Sequence, residues 1–221
     1  MVTIVEVYNN IGYDPGLVTA KGFSCYLQEA GLLFDTGGQG DVLLENMQRL
    51  GIDPGSVRRL VLSHDHWDHT GGAAAVLRAN PEIEVFVPAG FSNKTLDLIE
   101  ARTPPRIVEE WSPLAEGIFS TGPLGGEIPE QALAIEGTDG YLIVTGCAHP
   151  HIARIIHKVA ERGAVWGVIG GLHTVSEEDT DALEAVSYLS ASHCTDRIGE
   201  LEARYPDAFS PGGAGFVHRY H

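Results

Sequence analysis

The chain of 221 residues is short of positive charge, of sulfur and of long apolar runs. Its 14 Lys and Arg stand against 30 Asp and Glu, for a net charge of −16. A surface that follows a phosphate backbone needs clustered cations, so nucleic acid is not an expected partner. A small phosphorylated substrate remains compatible with this charge, because a bound metal ion supplies positive charge locally. No window approaches the ~18 apolar residues of a membrane span, so no membrane partner is expected either. The N-terminal run Met1-Val2-Thr3-Ile4-Val5-Glu6-Val7 carries neither a basic region nor a cleavage site and alternates like a strand, which points to the cytoplasm. Three cysteines, an odd number, do not make a disulfide framework. Histidine is missing from 70 to 148, although the chain holds ten.

What remains is a globular composition, 43% hydrophobic and 20% charged, with enough apolar residues to build a core. One domain spanning 1–221 is expected, since neither an internal repeat nor a boundary is visible. Strand-like runs lie at 2–8, 22–29, 31–35, 58–63, 83–87, 131–136, 140–145 and 164–169. Helical spacing appears at 39–50, 71–79, 92–101, 150–162, 177–190 and 196–205. Gly51 and the turn Asp53-Pro54-Gly55 close the first helix. Pro150 suits a first helical position, and Ser176 with Asp179 forms a candidate capping pair. The Pro- and Gly-rich segment 104–129 reads as a rim or hairpin near a site. Cys25, in the apolar run Phe23-Ser24-Cys25-Tyr26-Leu27, belongs to the core.

The densest chemistry is Ser63-His64-Asp65-His66-Trp67-Asp68-His69-Thr70-Gly71-Gly72. A lone histidine is more often a core or surface residue than a ligand. Four donors crowded between an apolar strand and a Gly-Gly pair are a different matter. On extended backbone His64 and His66 point the same way and can converge on one ion. Asp68 and His69 follow on the turn and can serve a second. Imidazole and carboxylate suit zinc, ferrous iron or manganese. His149, just past the apolar strand Tyr141-Leu142-Ile143-Val144, is the candidate third ligand of the first ion.

The pattern His-x-His-x-Asp-His after a strand resembles the signature of the metallo-β-lactamase superfamily. Phe34-Asp35-Thr36-Gly37, Thr145-Gly146-Cys147-Ala148-His149-Pro150, Gly170-Gly171-Leu172-His173 and His193-Cys194-Thr195 resemble its other motifs, in order. The later runs are similar to those of the subgroup of 7,8-dihydropterin-6-yl-methyl-4-(β-D-ribofuranosyl)aminobenzene-5'-phosphate synthase-like proteins. The resemblance implies an αββα sandwich of two mixed sheets flanked by helices, an α/β fold. It implies one or two zinc ions, with iron or manganese as alternatives, and His193 as third ligand of the second ion.

Many superfamily members bridge their ions with an aspartate near position 147. Here Cys147 stands in that region, as a soft ligand, a near neighbour or a buried thiol. Cys194, next to His193 on extended backbone, is expected to face away from the metal and pack inward. Asp68 and His173 are the candidate catalytic residues; for His173 a proton donor, a substrate contact, a ligand and a structural role all stay open. Asp35 is expected to orient a ligand histidine or its loop, and Asp65 to do likewise. His151, His157, His218 and His221 are expected in solvent, and Trp67, Trp111 and Trp166 in the core.

Three functions follow. A metal-dependent hydrolase would turn a metal-activated water on an ester, thioester, lactone, amide or phosphodiester of a small molecule. The subgroup implies instead a pterin-related synthase. A non-catalytic metal-binding or sensing protein is the third reading. Association into a homo-oligomer is left open.

Overall fold

Every second residue along the central strands turns to a different core, and this alternation sets the architecture. The computed structural model describes residues 1–221. The first sheet takes β1 (Val2–Asn9), β2 (Phe23–Leu27), β3 (Leu32–Phe34), β4 (Arg59–Val61), β5 (Glu84–Pro88) and β6 (Arg106–Val108). The second takes β7 (Ser112–Ala115), β8 (Ile118–Ser120), β9 (Leu133–Gly137), β10 (Gly140–Thr145), β11 (Val165–Gly171) and β12 (Tyr188–Ser192). A last strand, β13 (Val217–Tyr220), returns to pair antiparallel with β1. The helices are α1 (Gly40–Arg49), α2 (Trp67–Thr70), α3 (Ala73–Ala79), α4 (Asn93–Glu100), α5 (Ile152–Ala160), α6 (Glu177–Leu183) and α7 (Ile198–Arg204).

On β2 to β4, Phe23, Cys25, Leu27, Leu32, Phe34 and Val61 face the space between the sheets, where they meet Leu133, Ile135, Leu142 and Val144. Their alternates Tyr26, Leu33, Leu60 and Leu62 pack outward against Leu43 and Met47 of α1 and Val76 of α3. On the second sheet Ile143 and Val168 pack outward against Ile152, Ile155 and Val159 of α5. Strands covered on both faces read as continuous apolar runs, as these do. The result is the expected αββα sandwich, with two mixed sheets between helical layers.

The parallel stretches place the site. Strands β3 to β6 run parallel in one sheet, and β10 to β12 in the other. Open α/β sheets gather their functional loops at the carboxyl ends of such strands. The loops after β3, β4, β10, β11 and β12 hold Asp35, His64, Cys147, His173 and His193 respectively.

Several expectations are corrected. The helix expected over 177–190 ends at Leu183, and Tyr188–Ser192 forms β12 instead, paired to β11. The tertiary edge offered by β11 outweighs local helical spacing there. Pro150 precedes the start of α5, whose cap is His151. The hairpin β7–β8 does fall in 104–129, but its turn meets Met1, Glu29 and Arg58 at the end of the sheets away from the histidine run. His218 is buried, with Nε2 3.0 Å from Glu6 Oε1 and Nδ1 2.8 Å from the Tyr188 hydroxyl. Trp67 is 57% exposed rather than core. The capping pair stands as expected: Ser176 and Asp179 each accept from the other's backbone amide. No helix is long and apolar enough to cross a membrane.

Candidate metal centre

After β4 the chain turns inward, and His64 and His66 converge as their spacing suggests. His64 Nε2 lies 3.1 Å from His66 Nδ1. The His149 ring stands 4.5 Å from that of His64 and 4.9 Å from that of His66, and the ligand atoms of all three lie within 4.8 Å of one another. Asp68, His69 and His193 form a second cluster by the same measure. There His69 Nε2 is 3.2 Å from His193 Nε2, and Asp68 Oδ2 is 3.6 Å from His193 Nε2. Both clusters are the ones that the spacing and motifs pick out.

Four of the five imidazoles, those of His64, His69, His149 and His193, are tied from behind to a fixed partner. Asp35 Oδ1 accepts from the Ser63 amide at 2.7 Å, and its Oδ2 accepts from the Ser63 hydroxyl and from His69 Nδ1, both at 2.7 Å. The Ser63 oxygen is then free to accept from His64 Nδ1 at 2.9 Å. One buried carboxylate thus assigns the tautomer of a histidine in each cluster. His193 Nδ1 donates to Asn10 Oδ1 at 2.7 Å, and His149 Nδ1 to Glu130 Oε2 at 2.8 Å. With the proton held at the back, the Nε2 of His64, His69, His149 and His193 presents a lone pair to the centre. Asp65 does not touch a histidine; it accepts from the Ser92 amide at 2.7 Å and the Thr95 hydroxyl at 2.6 Å, and so holds the loop into α4.

Burial keeps His64, His69 and His193 neutral. It pushes His64 and His193 down to about 3 and His69 to about 4, against the pull of nearby carboxylates. Burial also lifts Asp35 to about 7, opposed by His64 and the Ser63 donors. Burial opposes ionisation of Glu130 too, but His64 and His149 outweigh it and hold the carboxylate well below its usual range. Neutral imidazole is the form that binds metal.

The donor set fits a divalent cation. The Nε2 lone pairs of His69 and His193 face each other at 3.2 Å and repel unless a cation lies between them. Nitrogens around a tetrahedral zinc ion at ~2.1 Å are about 3.4 Å apart, close to this spacing. The chain pays in strain to build it: Asp35 (φ 57), Ala148 (φ 55), His173 (φ 50) and His193 (φ 53) all take left-handed backbone without being glycine, at roughly 1–3 kcal/mol each.

Cys147 lies between the clusters, its Sγ 3.2 Å from His69 Nε2. Cys194 does not pack inward as expected. The left-handed turn at His193 breaks the alternation of an extended chain, so neighbours both face the centre. Its Sγ is 3.1 Å from that of Cys147. Gly171 makes the room, since a Cβ there would lie 2.7 Å from Cys194 Sγ. His173 is exposed at the rim, with its ring 5.1 Å from that of His149. Exposed Trp67 flanks the cluster, with Lys21 Nζ 5.8 Å over its ring. A cleft of about 160 Å³ beside His66 is lined by Gly90, Phe91 and Glu127–Pro129, so the end of segment 104–129 does reach the rim.

Two residues here have no signature in the sequence. Glu130 accepts from four successive amides, Gly146 to His149, at 2.8–3.1 Å. That nest of amides shapes the turn that presents Cys147 and His149. The only hint is an acid placed two residues before the apolar run Ala132–Ile135. Asn10 lies 183 positions from His193, and nothing local marks it.

Residues 24–162 match the family model described as the Metallo-beta-lactamase superfamily. The 7,8-dihydropterin-6-methyl-4-(beta-D-ribofuranosyl)-aminobenzene-5'-phosphate synthase of Methanocaldococcus jannaschii is 27% identical, over 87% of this chain and 86% of its own. The crystal structure of a metal-dependent hydrolase of the beta-lactamase superfamily superposes with a TM-score of 0.83 at 21% identity, covering 99% of both chains. Human tRNase Z, short form, superposes with a TM-score of 0.66 at 13% identity, again over 99% of both. At these identities the two structural likenesses are ones of fold. The sandwich, the donor clusters at the strand ends and the matched model agree: the chain belongs to the metallo-beta-lactamase superfamily.

Proposed function

We propose that the chain is a metal-dependent hydrolase acting on an ester, thioester, lactone or phosphodiester of a small molecule. The observation that carries this reading is the pair of donor clusters, in which His64, His69, His149 and His193 are held from behind with Nε2 facing inward. Zinc is the ion this set suits, in one or two copies, held by His64, His66 and His149 and by Asp68, His69 and His193, with Cys147 between them. A divalent ion at such a site acidifies water and stabilises negative charge on a reacting oxygen.

The protein's own residues supply the rest. Asp68, whose Oδ2 lies 3.6 Å from His193 Nε2, would accept a proton from an attacking water and orient it. His173, on the solvent side of His149, is placed to give a proton to the leaving group. Asp35 and Glu130 hold the imidazoles in register for this work. The acidic surface and the shallow rim favour a small substrate over nucleic acid.

The test is metal content on protein purified without chelator, followed by a panel of acyl, lactone and phosphodiester substrates. One or two ions per chain, with turnover lost on chelation, is the expected result. His173→Ala should keep the metal and slow turnover about 100-fold; metal loss in that variant would make His173 a ligand. Bound metal without turnover on any substrate would sink the hydrolase and favour a binding or sensing protein.

A second reading is a pterin-related synthase, favoured by the 27% identity to the Methanocaldococcus jannaschii synthase across most of both chains. Exposed Trp67 with Lys21 above it offers a flat ring and a cation beside the cluster. Quenching of Trp67 fluorescence by a pterin analogue, absent in Trp67→Phe, would support it.

A further inference from the structure

We propose that Cys147 and Cys194 are a pair of thiolate ligands at the second position, which makes it a sulfur-bearing site selective for thiophilic divalent ions. This rests on the metal-dependent reading above and goes beyond it, since Cys194 has no ligand role there. The first position is all imidazole, from His64, His66 and His149. Around the second, Cys147, His193 and Cys194 offer donor atoms within 4.8 Å of one another, as do Asp68, His69 and His193. Cys147 Sγ also groups with His64 and His69, so it lies on the side of the second position that faces the first.

Three features aim Cys194 at this point. The left-handed turn at His193 swings the thiol inward. Gly171 leaves the space that it fills. The two sulfur atoms stand 3.1 Å apart, closer than unbonded thiols sit comfortably; on one tetrahedral ion at ~2.3 Å they would ease to about 3.8 Å. Sulfur donors favour zinc, cobalt, cadmium and ferrous iron, whereas magnesium and manganese prefer oxygen. Each thiol gives up its proton to solvent as it binds the ion.

The experiment is an anaerobic titration of the metal-free chain with cobalt(II), read by near-ultraviolet thiolate-to-cobalt absorption and by ions bound per chain. The expected result is a band that Cys194→Ser lowers to about half, one of two thiolates being lost, and that the double Cys147→Ser, Cys194→Ser variant abolishes. As a check that needs no variant, cadmium should shield Cys147 and Cys194 of the unaltered protein from iodoacetamide together. A band unchanged in Cys194→Ser, or Cys194 alkylated as fast with cadmium as without, overturns the proposal. Two cobalt ions bound with no thiolate band overturns it too, but leaves the metal-dependent reading standing. No cobalt bound at all takes both down.

Discussion

The two donor clusters, a first and a second candidate ion position, share one floor and differ in walls. The first is built from His64 and His66, two apart on one loop, and His149 from the turn after β10. The second draws on α2, the end of β12 and the thiols of Cys147 and Cys194, with Asn10 reaching in from the end of β1. Asp35 runs beneath both, through Ser63 to His64 and directly to His69. One position is thus nearly local and uniform in chemistry. The other is assembled from distant strands and mixed in chemistry. Donor sets this different would not hold an ion equally well or select the same element.

The largest effect should come from breaking one wall. His66→Ala removes a donor from the first position only. Turnover should fall by more than the 10- to 100-fold typical of losing an outer partner, and elemental analysis should show about one ion gone. Loss of both ions would mean the positions stand or fall together.

Asp35→Asn tests the shared floor. It loses the acceptor that fixes His64 and His69, so both positions should weaken by about 10- to 100-fold, measured by competition with a metal indicator. An effect confined to one position would separate the two halves of that relay. Asn10→Ala is the sharper tool. It frees His193 Nδ1 alone and should weaken the second position about tenfold while leaving the first untouched.

The smallest effect should fall outside the centre. Asp179 accepts from Ser176, from the Ala153 amide and from His151 at 2.7–2.9 Å, tying the cap of α6 to the start of α5. Burial would raise its pKa, but these donors outweigh it and hold it below 3.8. The folded state therefore binds that proton less readily than the unfolded chain. The stability it contributes is fully present above 3.8 and fades as pH falls through the lowered value. Asp179→Asn should cost about 1–2 kcal/mol at neutral pH, with a flatter loss of stability in acid, read by denaturant unfolding. A change in metal affinity would show that the start of α5 steers His149.

The contrast between the positions is also a contrast in legibility. The first was readable because extended backbone sends His64 and His66 the same way, and spacing alone says so. Its third member, His149, followed from an apolar strand ending in a Gly-flanked turn. The second was readable only in part. Asp68 and His69 lie in the same run, and His193 emerged from a motif. Cys194 was misjudged because the rule of alternation holds for extended chain, and His193 is left-handed. Glu130 and Asn10 lie in segments with no periodic or motif cue, so nothing local connects them to the histidines that they orient.

The sequence by itself showed apolar strands and helices, and its motifs resembled a superfamily with αββα layering, because strands buried on both faces are apolar throughout and the motifs sit at their ends. It also determined which imidazoles are available, because their crowding at the end of one strand has no packing use. Only the tertiary structure decided which partner holds each imidazole from behind, where Cys147 and Cys194 meet, and that β12 is a strand rather than the end of a helix. Those outcomes depend on atoms far apart in the chain brought within hydrogen-bond reach, and on a few left-handed residues whose strain the surrounding fold must hold in place.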